Sequence, residues 1–379
     1  MASPTIATSR TTPPFRADHV GSLLRPQKLL RARDDRATGR INADELRAVE
    51  DDAIREVVAM QRDVGLRSAT DGEFRRTSWH MDFIYQLGGI SASDGRIQVK
   101  FHNANGDIEF TAAALKVGSK IGLPKTIFGE DFAFLHSAVG PDVTAKLTIP
   151  SPSMVHYRGG RAALDPAVYP DEEQFWADLS AAYARQVRGV ADLGCTYLQL
   201  DDTSLAYLND PAQRAELAAR GDDAEHQHLR YIRQINAALA GRPAGLTVTT
   251  HMCRGNFRSS WAAEGSYDFV AEALFSELSV DGFFLEYDDE RSGGFEPLRF
   301  VPPGKMVVLG LVTTKRGELE SKDQLKRRID EASRYVPLEQ LCLSPQCGFS
   351  STVEGNVLSH DEQVAKLRLI VETAAEVWG

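Results

Sequence analysis

The amino-acid sequence predicts an α/β fold, a (β/α)8 TIM barrel with a β-hairpin insertion after its second strand. Eight short apolar runs have the length and composition of buried strands, and helix-length segments separate most of them. A parallel sheet of eight strands with crossover helices closes most naturally into such a barrel. No glycine-rich phosphate loop follows the first run, which disfavours an open doubly wound sheet. The runs are FRADHVGS (15–22), LRSATDGE (66–73), KLTIPS (146–151), TYLQLD (196–201), LTVTTH (246–251), GFFLEY (282–287), MVVLGLV (306–312) and QLCLSP (340–345).

A helix, a turn and a strand follow one another repeatedly along the chain. Residues 42–65 begin with the spacing of a capping box, continue with apolar residues at helical intervals and stop at Gly65, where LRSATDGE begins. Residues 171–194 repeat this arrangement before CTYLQLDD, and a third copy ends in DGFFLEYDD. The strand of each copy ends in acidic residues, which are Asp71 and Glu73, Asp201 and Asp202, and Glu286 and Asp288.

The long connection between the second and third strands, from residue 82 to 140, departs from this pattern. Its sequence DGRIQVKFHNANGDIEFTA predicts a β-hairpin that turns near Asn105-Gly106 at the mouth of the barrel. The first fourteen residues, MASPTIATSRTTPP, are rich in Ser, Thr and Pro and predict a flexible tail. We therefore expect a tail (1–14) followed by a single barrel domain (15–379).

The composition narrows the classes of function. A net charge of -10 over 379 residues, without a dense run of Lys or Arg, disfavours a nucleic-acid partner, which requires basic patches. Neither a signal-type apolar segment nor a run long enough to span a membrane occurs in the sequence. Four cysteines are too few to form a disulfide scaffold for a chain of this length, so we expect reduced thiols or metal ligands in a cytoplasmic protein.

The predicted barrel gives the residues at the strand ends a common location. Active sites of such barrels lie at the carboxyl ends of the strands, so polar residues there face one pocket although they are distant in sequence. His251 and Cys253 end the fifth strand, Glu286 ends the sixth, and Cys347 follows the eighth. One imidazole, two thiolates and one carboxylate form a tetrahedral set typical of zinc, since sulfur ligands disfavour magnesium and calcium.

A zinc site with two cysteine ligands favours one kind of chemistry. Thiolate ligands make zinc a poorer Lewis acid for water, whereas a thiol substrate that enters the site is deprotonated by coordination. The ligand set therefore indicates alkylation of a thiol rather than hydrolysis. The acidic residues around it suit a substrate that carries an amino group.

These segments, taken in order, resemble the C-terminal catalytic barrel of the cobalamin-independent methionine synthases. The resemblance covers nearly the whole chain and keeps the order of the motifs. They are FRADHVGSLLRP, TDGEFRRTSWHMDF, YLQLDD, HMCRGNF, FLEYDDERSG and LSPQCGFSS.

The resemblance implies specific roles. It implies a Zn²⁺ site at the four ligands named above and transfer of a methyl group to the thiol of homocysteine, which gives methionine. It further implies that Ser22 helps to hold the carboxylate of homocysteine, while Glu73 and Asp201 bind its ammonium group. The partners expected on this basis are a small thiol and a methyl donor, either a methyl-folate or another compound.

Three departures from the family leave the methyl donor open. The full-length synthases contain two barrels, the first of which helps to hold a folylpolyglutamate, and this sequence matches the catalytic barrel alone. Lys315, in VTTKRGELE, stands about where the family has a catalytic histidine, and its permanent charge suits binding of an anion better than proton transfer near pH 7. Tyr157 is the candidate aromatic near SPSMVHYRGG, where the synthases have a tryptophan platform for the pterin.

Two other functions stay open at this point. Epoxyalkane:coenzyme M transferases belong to the same wider group, and Arg16, Arg75, Arg76 and Lys315 are candidates to bind the sulfonate of their thiol. The barrel is also compatible with a decarboxylase-like relative or with a non-catalytic protein that holds a structural zinc, because fold alone does not determine function. Retention of all four candidate ligands disfavours the non-catalytic alternative. The oligomeric state stays open.

Several of these residues also have a structural interpretation. Arg75 and Arg76 are also compatible with solvated charges in a loop. Trp79 and His80 are also compatible with residues that pack the insertion against the barrel. Asp202 is placed to cap the helix that follows it. Cys342 lies inside the eighth run and is expected to be a core residue.

Overall fold

The computed structural model describes residues 10–103, 106–157 and 159–379 and contains a curled, seven-stranded parallel sheet with helices between its strands. Neighbouring strands of this sheet follow one another in chain order, which is the connectivity of a TIM-barrel-like fold. A separate antiparallel pair lies in the connection after the first strand of the sheet. The strands are β1 (Ser68–Ala69), β2 (Gly88–Asn103), β3 (Gly106–Gly122), β4 (Thr144–Pro150), β5 (Tyr197–Asp202), β6 (Thr247–Met252), β7 (Gly282–Glu286), β8 (Met306–Val312) and β9 (Leu341–Pro345).

Six of the eight predicted strand runs coincide with β4 to β9 to within two residues at each end. The second run is shorter than predicted, because only Ser68 and Ala69 pair with β4. Beyond them, Gln61 replaces a neighbouring strand: its side chain accepts a hydrogen bond from the Thr70 N–H at 3.0 Å and donates one to the Thr70 carbonyl at 2.9 Å. The backbone groups are satisfied, so the ladder ends there.

The first predicted run (15–22) forms a single β-bridge instead of a full strand. Ala17 pairs in parallel with Leu343 of β9, and the Asp18 N–H donates to the Leu343 carbonyl at 3.0 Å. On the other side, the Thr70 hydroxyl donates to the Gly21 carbonyl at 2.6 Å. The segment therefore contacts both ends of the curled sheet, next to β9 and next to the turn after β1.

The helices occupy most of the connections between the sheet strands. The predicted capping box is confirmed, since the Asn42 side chain and the Glu45 side chain each accept a hydrogen bond from the other's backbone N–H. The predicted helices at 42–65 and 171–194 correspond to α2 and α6 below. The helices are α1 (Gln27–Ala37), α2 (Ala43–Asp63), α3 (Met81–Ile84), α4 (Gly129–Ala138), α5 (Ser153–Tyr157), α6 (Glu172–Asp192), α7 (Ser204–Tyr207), α8 (Pro211–Ala219), α9 (Gln227–Leu239), α10 (Asp268–Glu277), α11 (Lys322–Ala332) and α12 (His360–Trp378).

The antiparallel strands β2 and β3 occupy the segment where the sequence predicts a hairpin. Asn103 pairs with Gly106 at its end, and residue 105 of the predicted turn lies outside the described residues. The tip of the pair is attached to the loop after β6. His102 and Trp261 exchange backbone hydrogen bonds of 2.7 and 2.9 Å, and the Asn103 side chain donates to the Ser260 hydroxyl at 2.7 Å.

The interior of the sheet contains a buried ion pair. Lys146 Nζ lies 3.4 Å from Asp18 Oδ1, and the Tyr197 hydroxyl donates to Asp18 Oδ2 at 2.8 Å. The adjacent His19 is buried as well, and burial together with the charge of Lys146 lowers its pKa to about 4. His19 is therefore neutral near pH 7.

The sequence predicts no membrane-spanning segment and a flexible tail over residues 1–14. Among the described residues, the helices are too short or too polar to cross a bilayer. Residues 1–9 of the predicted flexible tail (1–14) lie outside the described residues.

Candidate metal centre

Three of the four predicted zinc ligands lie together at the carboxyl ends of the sheet strands. His251 is in β6, Cys253 is the first residue after β6, and Cys347 follows β9. All three are buried, and one ligand atom from each lies within 4.8 Å of the others. The fold thus brings together residues that are 94 positions apart, as expected for a site at the ends of parallel strands.

The two cysteines behave as a pair that shares one negative charge. Their sulfur atoms are 3.4 Å apart. The pKa of Cys253 is raised by its hydrogen bond to Cys347 and by burial, while the pKa of Cys347 is lowered by the same hydrogen bond and by the charge of His251. Their hydrogen bond therefore favours the thiolate form of Cys347 over that of Cys253, and the Gly255 N–H donates to Cys253 Sγ at 3.3 Å.

Glu286, the predicted fourth ligand, is fully buried beside this group but is engaged with other residues. The Arg254 backbone N–H donates to Oε2 at 3.1 Å, while Arg291 and Lys315 donate to Oε1 at 2.8 and 3.2 Å. Burial alone would raise the pKa of Glu286, but the charges of Lys315, Arg291 and Arg254 outweigh it and lower that pKa. The side chain is therefore an anionic carboxylate.

This set of donors fits a zinc ion. Neither ring nitrogen of the buried His251 makes a hydrogen bond of acceptable geometry to a described residue, which leaves one available as a ligand. The adjacent thiol and thiolate add two sulfur donors, and Glu286 supplies an anionic oxygen next to them. Buried nitrogen and sulfur donors of this kind are typical of zinc and disfavour hard cations such as magnesium.

A cavity of about 280 Å³ opens directly onto the three clustered ligands. The residues implied as substrate contacts, Ser22, Glu73 and Asp201, all line it, so the fold brings them to the same place as the metal ligands. The remaining lining residues come from the turn after β1, the hairpin, and the loops after β5, β6 and β9.

Glu73 lines this cavity, and one oxygen of its buried carboxylate has no hydrogen-bond partner among the described residues. Oε1 accepts from the Thr148 hydroxyl at 2.9 Å and lies 3.5 Å from Arg76, whereas no described residue hydrogen bonds to the buried Oε2. Burial raises the pKa of Glu73, although Arg76 opposes this. The residue has a φ of 60°, in the left-handed region that side chains other than Gly rarely adopt, and such backbone conformations cluster at functional sites.

Asp201 lies at the end of β5, next to His251 in the register of the sheet. The Gln199 amide donates to its Oδ1 at 2.6 Å. Burial raises the pKa of Asp201 to about 7; His251 opposes this shift and the nearby Glu73 adds to it. The carboxyl group can therefore gain or lose a proton close to neutral pH.

Ser22 lines the cavity against the loop that carries Cys347. Its Oγ accepts a hydrogen bond from the Ser350 N–H at 3.3 Å. Gly348 makes this approach possible, because a Cβ atom there would lie 1.9 Å from the Ser22 Oγ. Any larger residue at position 348 would displace the serine hydroxyl.

The cationic residues predicted to bind a sulfonate lie elsewhere. The side chain of Arg75 is 5% exposed and pairs with Glu50, Asp51 and Asp131. Arg16 donates to the Leu341 carbonyl at the opposite end of β9. The expectation that Arg75 is a solvated loop charge is therefore wrong, because its three acidic neighbours on α2 and α4 neutralise it below the surface.

Arg76 is buried and the side chain of Lys315 is 10% exposed, and neither residue lines the cavity. Arg76 donates to the Thr148 carbonyl at 2.8 Å, so it too is not a solvated loop charge. Lys315 bridges Glu286 and Asp288, each at 3.2 Å, and does not line the cavity. Its position indicates that it holds Glu286 in place from behind.

The structural interpretations of Asp202 and Cys342 agree with their contacts. Asp202 accepts from the Leu205 N–H and from the Ser204 hydroxyl, both at 2.8 Å, at the start of α7. Cys342 is a buried core residue packed with Val20 and Phe284.

Several cavity residues were not singled out as functional from the sequence. Trp79 and His80 line the cavity, with their rings 4.4 Å apart, in addition to packing near the hairpin. Phe101 of β2 and Phe257 of the loop after β6 line it as well, 5.4 Å between ring centroids. No local signal marked Phe101, because an apolar residue in a hairpin points to the site only through the tertiary fold. Tyr157 does not line this cavity.

Known proteins resemble this chain over most of its length. A family model described as the catalytic domain of the cobalamin-independent synthases matches residues 15–376. The chain is 48% identical over 371 residues to the uncharacterized protein YxjG of Bacillus subtilis. The match covers 97% of this chain and 96% of that protein. It is 24% identical over 334 residues to the methionine synthase of Pyrococcus abyssi, covering 87% and 84% of the two chains.

A solved structure supports the same relationship. The protein from Listeria monocytogenes, assigned to the vitamin-B12 independent methionine synthases, superposes with a TM-score of 0.77 at 39% identity, and the match covers 98% of this chain and 100% of that one. The family model and these relatives span nearly all of the sequence. The chain therefore belongs to the family of the cobalamin-independent methionine synthases, through their catalytic domain.

Proposed function

We propose that this protein is a zinc-dependent methyltransferase that transfers a methyl group to the thiol of homocysteine, giving methionine. The observation that carries the proposal is the buried cluster of His251, Cys253 and Cys347, within 4.8 Å of one another and open to a cavity with acidic residues. Membership of the methionine synthase family supports the same reaction. The segment 15–22 is, on this view, the first of eight strands in a closed (β/α)8 barrel, with the hairpin as an insertion at its mouth.

His251, Cys253, Cys347 and Glu286 would hold the zinc ion. When bound, zinc lowers the pKa of a coordinating thiol and so supplies a thiolate nucleophile near neutral pH. Glu286 would be the weakest of the four donors, because a carboxylate binds this ion less strongly than an imidazole or a thiolate does. Arg291 and Lys315 hydrogen bond to Glu286 and would hold its carboxylate in position.

The amino-acid part of homocysteine would be bound by the cavity residues. Glu73 and Asp201 provide carboxylates for the ammonium group, and the unpartnered Oε2 of Glu73 is available to accept its hydrogen bond. The Ser22 hydroxyl would donate to the substrate carboxylate. These contacts orient the thiol towards the cysteines, and they exclude water from the bottom of the cavity.

The charge of the cavity argues against the coenzyme M alternative. A sulfonate requires a permanent positive charge or several donors. None of the described residues that line the cavity is a lysine or an arginine, and Arg16, Arg75, Arg76 and Lys315 make their contacts elsewhere. We therefore favour the amino-acid thiol.

The proposal is tested by zinc analysis followed by substitution with cobalt. We expect one zinc ion per chain, and a thiolate-to-cobalt charge-transfer band that grows when homocysteine is added and does not grow with coenzyme M. A band that grows with coenzyme M alone would indicate a relative of the epoxyalkane:coenzyme M transferases. A bound metal without any response to thiols, together with unfolding on chelation, would indicate a structural zinc.

A further inference from the structure

The cavity above the metal ligands has an aromatic wall, which we define as Trp79, Phe101, Tyr207 and Phe257. All four side chains line the same space as Cys253 and Cys347, and they come from four separate segments. Phe101 and Phe257 contact each other, and the bridge between His102 and Trp261 attaches the hairpin strand that carries Phe101 to the loop that carries Phe257. The wall is therefore fixed by backbone hydrogen bonds close to both of these phenylalanines.

The charges around this wall are acidic. The ionisable residues among the described lining are carboxylic acids, thiols, a tyrosine and two histidines, without a lysine or an arginine. One of the carboxylates, Glu73, is 3% exposed and keeps an oxygen without a partner. Aromatic faces next to carboxylates attract organic cations and offer nothing to an anion.

The size of the cavity sets a second limit. Pockets that bury drug-sized ligands have volumes of roughly 300–1,000 Å³. This cavity has about 280 Å³ and must hold the amino-acid thiol as well as the methyl donor. A folate carries a bicyclic ring, a benzoyl group and at least one glutamate with negative charges. Most of it would extend beyond this volume, and the described lining offers no lysine or arginine to its carboxylates.

We propose that the methyl donor of this protein is a small methylated onium cation, a sulfonium or a quaternary ammonium compound, bound against the aromatic wall. The proposal rests on the thiol methylation proposed above and specifies the class of its second substrate. The positive centre would lie over the aromatic faces, with one of its methyl groups directed towards the thiol at the metal centre.

The reaction of such a donor is balanced without another reactant. The thiol gives up its proton to solvent when it binds, and its sulfur lone pair forms the new carbon–sulfur bond. The bond between the methyl carbon and the onium sulfur or nitrogen breaks, and its electron pair stays on a neutral sulfide or amine, which leaves. An anion and a cation become two neutral molecules, a change that a dry apolar cavity favours because it solvates charged groups poorly.

Binding and transfer test the proposal separately. The first experiment uses calorimetry to compare choline with 3,3-dimethylbutanol, which has the same shape but a carbon atom in place of the cationic nitrogen. We expect choline to bind about tenfold more tightly, the ratio that one desolvated cation–π contact provides. Equal affinity, stronger binding of the neutral alcohol, or no binding of choline would overturn the proposal, whatever the thiol chemistry turns out to be.

A matched pair of variants locates the site. Phe101→Leu keeps an apolar side chain but removes an aromatic face, and we expect it to abolish most of the preference for choline over 3,3-dimethylbutanol. Phe300→Leu, outside the cavity, is the control and should keep that preference. A Phe101→Leu protein that retains the full preference would contradict the assignment of the wall.

The transfer experiment identifies the donor. Holoenzyme is incubated with homocysteine and trimethylsulfonium, glycine betaine or 5-methyltetrahydrofolate, and methionine is measured. Methionine from either onium compound supports the proposal and distinguishes a sulfonium from an ammonium donor, and methionine from the folate alone overturns it. If cobalt-substituted protein fails to respond to homocysteine, the proposed function is wrong, while the comparison of choline with its neutral analogue still decides whether the wall binds cations.

Discussion

The sulfur atoms of Cys253 and Cys347 lie 3.4 Å apart at the ends of two strands that do not neighbour each other in the sheet. Two buried sulfurs at this distance, next to the buried imidazole of His251, form a group of polar atoms that is costly to bury unless it binds a further partner. The pKa values of the two cysteines diverge because one proton must be shared between them. The predictions below address this site and the residues that support it.

The first prediction concerns the thiolate. Cys347→Ser removes the sulfur donor that carries the negative charge, so we expect loss of bound zinc and of methyl transfer. Elemental analysis and an activity assay measure both. Cys342→Ala is the control, because this buried cysteine packs in the core away from the cluster and should keep one zinc per chain. Full activity of zinc-free protein would refute the metal assignment.

The second prediction concerns the residue behind Glu286. Lys315 pairs with Glu286 and Asp288, and the side chains of all three are largely buried. Lys315→Met leaves Arg291 as the one side chain that forms an ion pair with both carboxylates, so we expect the free energy of unfolding to fall by about 3 kcal/mol, as when one partner of a buried ion pair is removed. Urea denaturation measures it.

Lys315→Arg and Lys322→Met are the controls for this loss. Lys315→Arg keeps the charge and should recover most of the stability. Lys322→Met removes an exposed pair on the surface between α11 and α12 and should have a much smaller effect, because solvent screens such pairs. Equal losses for Lys315→Met and Lys322→Met would show that the cluster is not important for folding.

The third prediction concerns pH. The pKa of buried His19 is lowered to about 4 from 6.5, so between these values the unfolded chain binds a proton that the folded chain does not. The contribution of His19 to the free energy of unfolding is therefore fully present above pH 6.5. It decreases as the pH falls to 4 and does not change further below pH 4. The expected loss is about 3 kcal/mol.

Denaturation of the native protein and of His19→Gln at several pH values measures this difference. Glutamine cannot titrate, so the stability of the variant should depend less on pH between 4 and 6.5. Parallel curves for the two proteins across this range would contradict the assignment.

The fourth prediction concerns the close approach of Gly348 to Ser22. A Cβ atom at position 348 would lie 1.9 Å from the Ser22 Oγ and must displace it. We expect Gly348→Ala to raise the KM for homocysteine roughly tenfold, the cost of one hydrogen bond to a charged group, while zinc stays bound. Gly118→Ala, which has open space around it, should change neither quantity. An unchanged KM in Gly348→Ala would remove Ser22 from the substrate site.

Much of the fold and of the metal cluster followed from the sequence because both depend on local patterns. Apolar runs of strand length locate β4 to β9, and the chemistry of imidazole and thiol side chains indicates the metal. The first two runs were predicted too long, since hydrogen bonds from Gln61 and a single bridge at Ala17 replace strand pairing. Such substitutions depend on side chains from distant segments, which periodicity does not reveal.

The surroundings of the charged side chains could not be predicted from the sequence, for a related reason. Arg75 was expected in a loop or at an anion site, but acidic residues of α2 and α4 neutralise it. Lys315, which stands about where the family has a catalytic histidine, hydrogen bonds to Glu286 and Asp288. Long cationic side chains reach partners several ångströms away, so their surroundings are determined only once helices and strands have packed.

The hairpin divides the site into two parts that can change independently. The proposed zinc ligands lie in or just after strands of the sheet, where a substitution disturbs the whole fold. One face of the space for the second substrate is provided by Val99 and Phe101, on a strand outside that sheet. We therefore expect substitutions in the hairpin to change which alkyl compounds bind while the metal ligands stay unchanged. Selection or laboratory engineering could adapt this protein to new donors through the hairpin alone.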